Sequence, residues 1–155
     1  MLNKIDMSNI GELERATQKR VIQFFELSLK YDYLGDWSER ASNSNLETKY
    51  LIPFLEKQGY SKTLIQKTID LLQKETISLQ GQSLYDANKA VYSYLRYGVK
   101  VRPDVGENKE TVKLIDWKNP ENNQFAIAEE VTVFYGSEGR SKRPDVVIYV
   151  NGIAL

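Results

Sequence analysis

Two periods of apolar residues divide the chain. Up to about Leu95 they recur at helical spacing, and from Val112 onward they run consecutively. Leu13, Thr17, Val21, Phe24 and Phe25 fall on one helical stripe behind Ser8 and Asn9, with Glu12 and Glu14 placed where carboxylates meet the positive end of the helix dipole. A second helix is expected from Asn45 to about Gln58, stopped by Gly59 and kinked or split at Pro53, whose ring removes a backbone N–H. Ser61 caps a third, carrying Leu64, Ile65, Thr68, Ile69 and Leu72. Ser83, with Asp86 three residues on, opens a fourth carrying Ala90, Val91, Tyr94 and Leu95 up to Gly98.

Behind these helices the spacing predicts strands. Val112 to Trp117 is a short one, followed by a loop over Lys118 to Asn123. Phe125 to Phe134 is nearly all apolar, the mark of a strand buried on both faces. Tyr135 to Lys142 is a Gly/Ser and basic loop. Val146 to Val150 is a β-branched run closed by Asn151-Gly152, the strongest short-range hairpin signal, so Ile153 to Leu155 begins a second antiparallel strand. That strand is expected to continue past Leu155, which makes the chain the N-terminal piece of something longer. The whole predicts an α/β (α+β) architecture, helices packed on a mixed sheet, organised as a single domain over residues 1–155 with no internal repeat.

Composition narrows the chemistry. With 155 residues and 41% hydrophobic content the chain can bury a core. Lys+Arg and Asp+Glu both number 21, so any contact with nucleic acid must come from a local patch. Cysteine and histidine both number 0, which excludes disulfides, Cys/His zinc sites, a histidine base and Ser-His or Cys-His nucleophile pairs within this chain. Carboxylates, lysine, tyrosine or an oxygen-held metal remain. No basic stretch followed by an apolar core opens the chain and no apolar run approaches a membrane span, so a soluble cytoplasmic protein with no membrane partner is expected.

Among the carboxylates, Asp145 stands out. Pro144 fixes its own φ and biases Arg143 toward extended geometry, which aims Asp145 at the threshold of a buried strand. A positioned carboxylate suits a hard cation such as Mg²⁺, which takes one or two carboxylates plus waters and phosphate oxygens. The plainer reading is a turn residue at a strand entry. Pro103-Asp104 serves as a control, because only a turn, Val105-Gly106-Glu107-Asn108, follows it. Glu129 and Glu130 interrupt the long strand, and since successive side chains alternate, only one should share a face with the metal-side groups. Their plain reading is a strand end rising into solvent. Arg140, Lys142 and Arg143 precede Asp145, where cations can hold phosphates; a charge run in a loop is otherwise simply solvated. Gly136 and Gly139 lack the Gly-Lys-Ser/Thr of a phosphate loop. The tyrosine clusters Tyr31 and Tyr33, and Tyr92, Tyr94 and Tyr97, are expected to serve packing rather than base stacking.

The segment from Arg143-Pro144-Asp145 through Val150-Asn151-Gly152 to Leu155 resembles the nuclease motif of the restriction (R, motor) subunit of type I restriction-modification enzymes. In that family the second hairpin strand runs directly into a Glu-x-Lys. Further likeness lies in Glu14–Gln18, Tyr33–Trp37, Leu84–Lys89, Leu95–Val99, Leu114–Trp117 and Phe125–Glu130, so the resemblance spans about Leu13 to Leu155. It implies a PD-(D/E)xK nuclease-like fold, here truncated before the Glu-x-Lys strand ends, at the N-terminus of an ATP-driven DNA translocase. Asp145 matches the motif aspartate, catalytic and a Mg²⁺ ligand. Glu14 matches an acidic residue on the first helix that lies near the metal, and Glu130 is a further candidate ligand. Arg140, Lys142 and Arg143 are candidate DNA contacts. The implied parent is a type I site-specific deoxyribonuclease that cleaves double-stranded DNA with Mg²⁺, binds ATP outside this segment, and assembles with methyltransferase and specificity subunits. Without the Glu-x-Lys, the 155-residue chain alone is expected to be inactive. The rival expectation is a non-catalytic module whose four front helices dock the subunit onto its methyltransferase partner or onto DNA.

Overall fold

The computed structural model describes residues 7–77, 84–135 and 140–155. The chain forms two compact units, one of Met1–Ser44, Phe125–Tyr149 and Leu155, the other of Asn45–Gln124 and Val150–Ala154.

The second unit holds a core that the helical stripes dictate. Helices α2 (Thr48–Lys57), α3 (Lys62–Ile77) and α4 (Leu84–Tyr97) are followed by strands β2 (Val99–Val101) and β3 (Glu110–Val112), paired antiparallel as Val99↔Val112, Lys100↔Thr111 and Val101↔Glu110. Leu51, Phe54 and Leu55 of α2, Leu64, Ile65, Ile69 and Leu72 of α3, and Val99, Val101, Val112 and Leu114 form one buried cluster with Ile153. Ser61 caps α3 as expected, its Oγ accepting from the Leu64 N–H at 3.3 Å. Gly98, at φ +87°, ends α4; Ser83 lies outside the described residues. Pro53 does not split α2. It sits on the exposed side of a continuous helix, where the carbonyl that loses its N–H partner is open to solvent. The strand expected over Val112 to Trp117 is instead Glu110–Val112, because Asp116 draws the following backbone into a turn: its Oδ1 accepts from the N–H of Lys118 (3.1 Å) and of Asn119 (3.0 Å).

The first unit is built on α1 (Met7–Gln23), which passes into a single π-helical turn (Phe24–Ser28) and then β1 (Asp32–Asp36). β1 pairs in parallel with β4 (Phe125–Glu129), from Asp32↔Ala126 to Asp36↔Glu129, with a register shift between Tyr33 and Gly35. The mixed four-stranded sheet runs β1-β4-β7-β8, with β7 Val146–Val150 and β8 Ile153–Ala154. Ala126, Ile127 and Ala128 at the centre of β4 are buried, as the apolar run predicted. The strand stops at Glu129, however, because Glu130 takes a left-handed φ of +53°. Val133–Tyr135 (β5) then pairs antiparallel with Arg140–Lys142 (β6), so the expected basic loop is largely a small hairpin; residues 136–139 between the strands lie outside the described residues.

The Asn151-Gly152 turn forms as predicted, with φ of +51° and +80°. Asn151 is fully buried and donates to Leu114 O (2.9 Å) and Asn123 Oδ1 (2.8 Å) while accepting from Gln124 N (2.8 Å). A Cβ on Gly152 would stand 2.4 Å from the Glu47 carbonyl. Asn151→Ala is therefore predicted to lower the free energy of unfolding by about 1–3 kcal/mol for each buried group it leaves unsatisfied. Val105→Ala, at a residue 96% exposed, should change it by less than about 0.5 kcal/mol. Urea midpoints measure both.

Candidate active-site cleft

The α1 stripe and the entry to β7 meet at a cleft of about 640 Å³ lined by Leu13, Glu14, Thr17, Gln18, Val21, Asp145 and Val146. The five helical residues recur at one and three positions apart, which places them on one face of α1. Glu14 and Asp145, separated by most of the sequence, thus border the same space, and both are exposed to solvent.

Behind that border lies a knot of polar groups centred on Gln18. Its amide Nε2 donates toward Glu129 Oε2 (3.0 Å), Glu130 Oε1 (3.2 Å) and the Asp145 carbonyl (3.2 Å). An amide has two N–H bonds, so three acceptors share two hydrogens. The second oxygen of each glutamate is also engaged. Tyr33 donates its hydroxyl to Glu129 Oε1, and Arg143 Nε lies 3.0 Å from Glu130 Oε2. Alternation along a strand predicted that only one of the two glutamates would share the Asp145 side. The left-handed turn at Glu130 abolishes that alternation, and both carboxylates reach the same amide. The Glu130 N–H also donates to the Asp145 carbonyl at 3.0 Å, which ties the two acidic residues through the backbone.

The electrostatics follow from this crowding. Partial burial of the Tyr33 hydroxyl, its bond to Glu129 and that residue's negative charge all disfavour a phenolate, and push its pKa from 10.0 up to about 12. Asp36, at the end of β1, is held below the ordinary carboxylate range by the Ser38 N–H, at 2.8 Å, and then by the Ser38 hydroxyl, with Arg143 adding a smaller attraction.

The remaining predicted residues are placed as follows. Arg143 is paired with Glu130 and its side chain stays 61% exposed. Lys142 is exposed on β6, and Arg140 belongs to the same strand, its side chain lying outside the description. Tyr31 packs as expected, its ring 5.0 Å from Phe25 and 5.2 Å from Phe125. Among the described residues no three of Asp, Glu, His or Cys form a group able to hold a metal together. Glu14 and Asp145 both line the open cleft and present carboxylate oxygens to it. Gln18 was not singled out from the sequence and Tyr33 was expected only to pack, whereas its ring is partly exposed and its hydroxyl serves Glu129; both lie in the stretches Glu14–Gln18 and Tyr33–Trp37 that carried the resemblance.

A mixed α+β chain that brings acidic residues of its first helix and of a hairpin entry to one cleft has the build of a nuclease-like α/β fold. The chain belongs to the family of the type I restriction enzyme R protein N terminus, whose model matches residues 11–155. It is similar to the putative type I restriction enzyme MjaIXP endonuclease subunit of Methanocaldococcus jannaschii, 33% identical over 110 residues, which is 69% of this chain and 10% of that protein. The chain thus spans about a tenth of the length of the curated relative it matches.

The Tyr33–Glu129 bond makes a prediction. Because the folded pKa lies above the usual value, the stability Tyr33 contributes is fully present below pH 10 and is lost as pH rises through about 12. Spectrophotometric titration of the chain against a Tyr33→Phe variant should assign a late ionisation to Tyr33, and Glu129→Gln should bring that ionisation part of the way back toward 10. Persistence of the late ionisation in that variant would contradict the assignment.

Proposed function

We propose that the R subunit of which this segment forms the N terminus hydrolyses phosphodiester bonds of double-stranded DNA in a Mg²⁺-dependent reaction. The observation that carries the reading is the meeting of Glu14 and Asp145 at one cleft in a chain of the restriction R-protein family. These two carboxylates are the ligands the cleft offers a hard cation, with Glu130 behind them. Such an ion, when bound, polarises the scissile phosphate and lowers the pKa of a water.

The chain's own residues do the positioning. Gln18 gathers Glu129 and Glu130 and holds the Asp145 backbone. Arg143 offsets the charge of Glu130, and its exposed remainder, with Lys142 and Arg140, meets the DNA backbone. The second acidic residue and the lysine of the motif belong, by resemblance, to the strand that β8 begins. ATP-driven translocation belongs to other parts of the subunit, and the methyltransferase and specificity subunits are its partners in the cytoplasm.

A docking role is the second reading, and the exposed Phe24 (54%) and Leu27 (63%) beyond α1 favour it. The two readings separate in the assembled enzyme. Asp145→Ala should reduce DNA cleavage to background while ATP hydrolysis and translocation persist; Phe24→Ser with Leu27→Ser should leave both intact. Cleavage retained by Asp145→Ala, with assembly lost in the second variant, would transfer the assignment to docking.

A further inference from the structure

Helix α4 carries a stripe that the cleft does not explain. Tyr85, Lys89, Tyr92 and Arg96 follow one another at four, three and four residues, the spacing of a single helical face, and all four are exposed. Tyr85 is 72% and Tyr92 65% exposed. The opposite face explains why these rings are not core: Tyr94 and Leu95 already pack on the buried cluster of this unit. At the end of the stripe the Arg96 guanidinium lies 5.4 Å from the ring centroid of Trp117, and the Trp117 indole N–H is fixed by the Leu95 carbonyl at 2.9 Å. Of the tyrosines expected to serve packing, Tyr92 and Tyr97 therefore face water.

The order along the stripe is aromatic, cation, aromatic, cation. Tyr85 and Tyr92, like Lys89 and Arg96, stand seven residues apart, about 10.5 Å along the axis at 1.5 Å per residue. Alternating rings and cations let bases stack while phosphates meet positive charge, whatever the sequence. Asp86 lies about 100° round the helix from Tyr85 and three residues before Lys89, so one carboxylate borders the stripe at that cation.

Aromatic and arginine residues also anchor protein interfaces, but those deplete lysine and surround the anchors with apolar contacts. Here Lys89 occupies the middle, and the flanks are the polar Asp86, Asn88 and Ser93 with the exposed Tyr97 at the end. A duplex hides its base faces, so rings that stack need unpaired bases. We propose that the Tyr85-Lys89-Tyr92-Arg96 face of α4, extended by Trp117, binds single-stranded nucleic acid without sequence preference.

The test uses the 155-residue chain without divalent metal, so its outcome is independent of the cleavage reading. Fluorescence anisotropy compares a labelled oligothymidylate of about twelve nucleotides with a duplex of the same length. Wild type should prefer the single strand. Tyr85→Ala with Tyr92→Ala should weaken it by about tenfold or more, whereas Tyr92→Phe, which keeps the ring, should stay within about twofold. Lys89→Ala with Arg96→Ala should lower the slope of log affinity against log salt by about 1.4, at about 0.7 per phosphate contact. All four side chains are exposed, so unchanged melting curves verify the fold of each variant. Failure to bind the single strand, equal or tighter binding of the duplex, or indifference to the tyrosine replacements would overturn the proposal. In the last case the face would be assigned to a protein partner.

Discussion

The backbone bond from the Glu130 N–H to the Asp145 carbonyl is the constraint on which the site depends. With its neighbour, Val131 N–H to Pro144 O at 3.2 Å, it runs one residue forward on one segment and one back on the other, the pattern of antiparallel pairing. That register sets Asp145 level with the end of β4. A slip of one residue would turn every following side chain of β7 to the other face, moving Val146 away from the cleft it lines. The left-handed conformation of Glu130 is what lets β4 end there. A non-glycine residue in that region costs about 1–3 kcal/mol, and persists where its surroundings over-determine it. Here the surroundings are three: the backbone bond to Asp145, the Gln18 amide on one carboxylate oxygen and Arg143 on the other. Strain of this kind concentrates at functional sites, and its position beside Asp145 is consistent with the proposed role of that residue.

Concentrating carboxylates without histidine or cysteine poses an electrostatic problem that the structure meets with neutral donors. Glu129 and Glu130 are adjacent in sequence and share the Gln18 amide, so dipoles rather than a second cation do much of the neutralising. Tyr33 contributes the remaining bond to Glu129, and its own hydroxyl is made harder to ionise by burial, by that bond and by the charge of Glu129. Glu14 and Asp145 lie forward of this knot at the exposed rim. The rim carboxylates stay exposed to solvent, while those of Glu129 and Glu130 are held by protein groups.

Much of the architecture was legible in the chain. The Asn-Gly turn, the serine cap of α3, the glycine stop of α4 and the burial of β4 each follow from a local rule, and each is present. What escaped depended on partners distant in sequence. Asp32–Asp36 has two aspartates and a glycine, poor strand residues, and becomes β1 only through its parallel ladder with β4. The basic segment ending at Lys142 reads as a loop by composition, yet Val133–Tyr135 supplies a partner strand. Among site residues, Asp145 was marked by proline and the strand behind it, and Glu14 by likeness to a family. Gln18 carried no local signal, because its role arises where one backbone angle at Glu130 breaks the alternation of β4. The tyrosines of α4 show a related limit: helical spacing defines a face, while packing decides whether it is covered, and Tyr92 is uncovered.

The central claim is that Glu14 and Asp145 act together on a hard cation, and it can be tested apart from cleavage. Mn²⁺ replaces Mg²⁺ at oxygen sites and broadens the NMR signals of nearby nuclei. Titrating the isotopically labelled chain with Mn²⁺ should broaden first the amide signals of Glu14, Gln18, Asp145 and Val146, and Asp145→Asn should remove that focus. Broadening centred elsewhere, or unchanged in Asp145→Asn, would contradict the account.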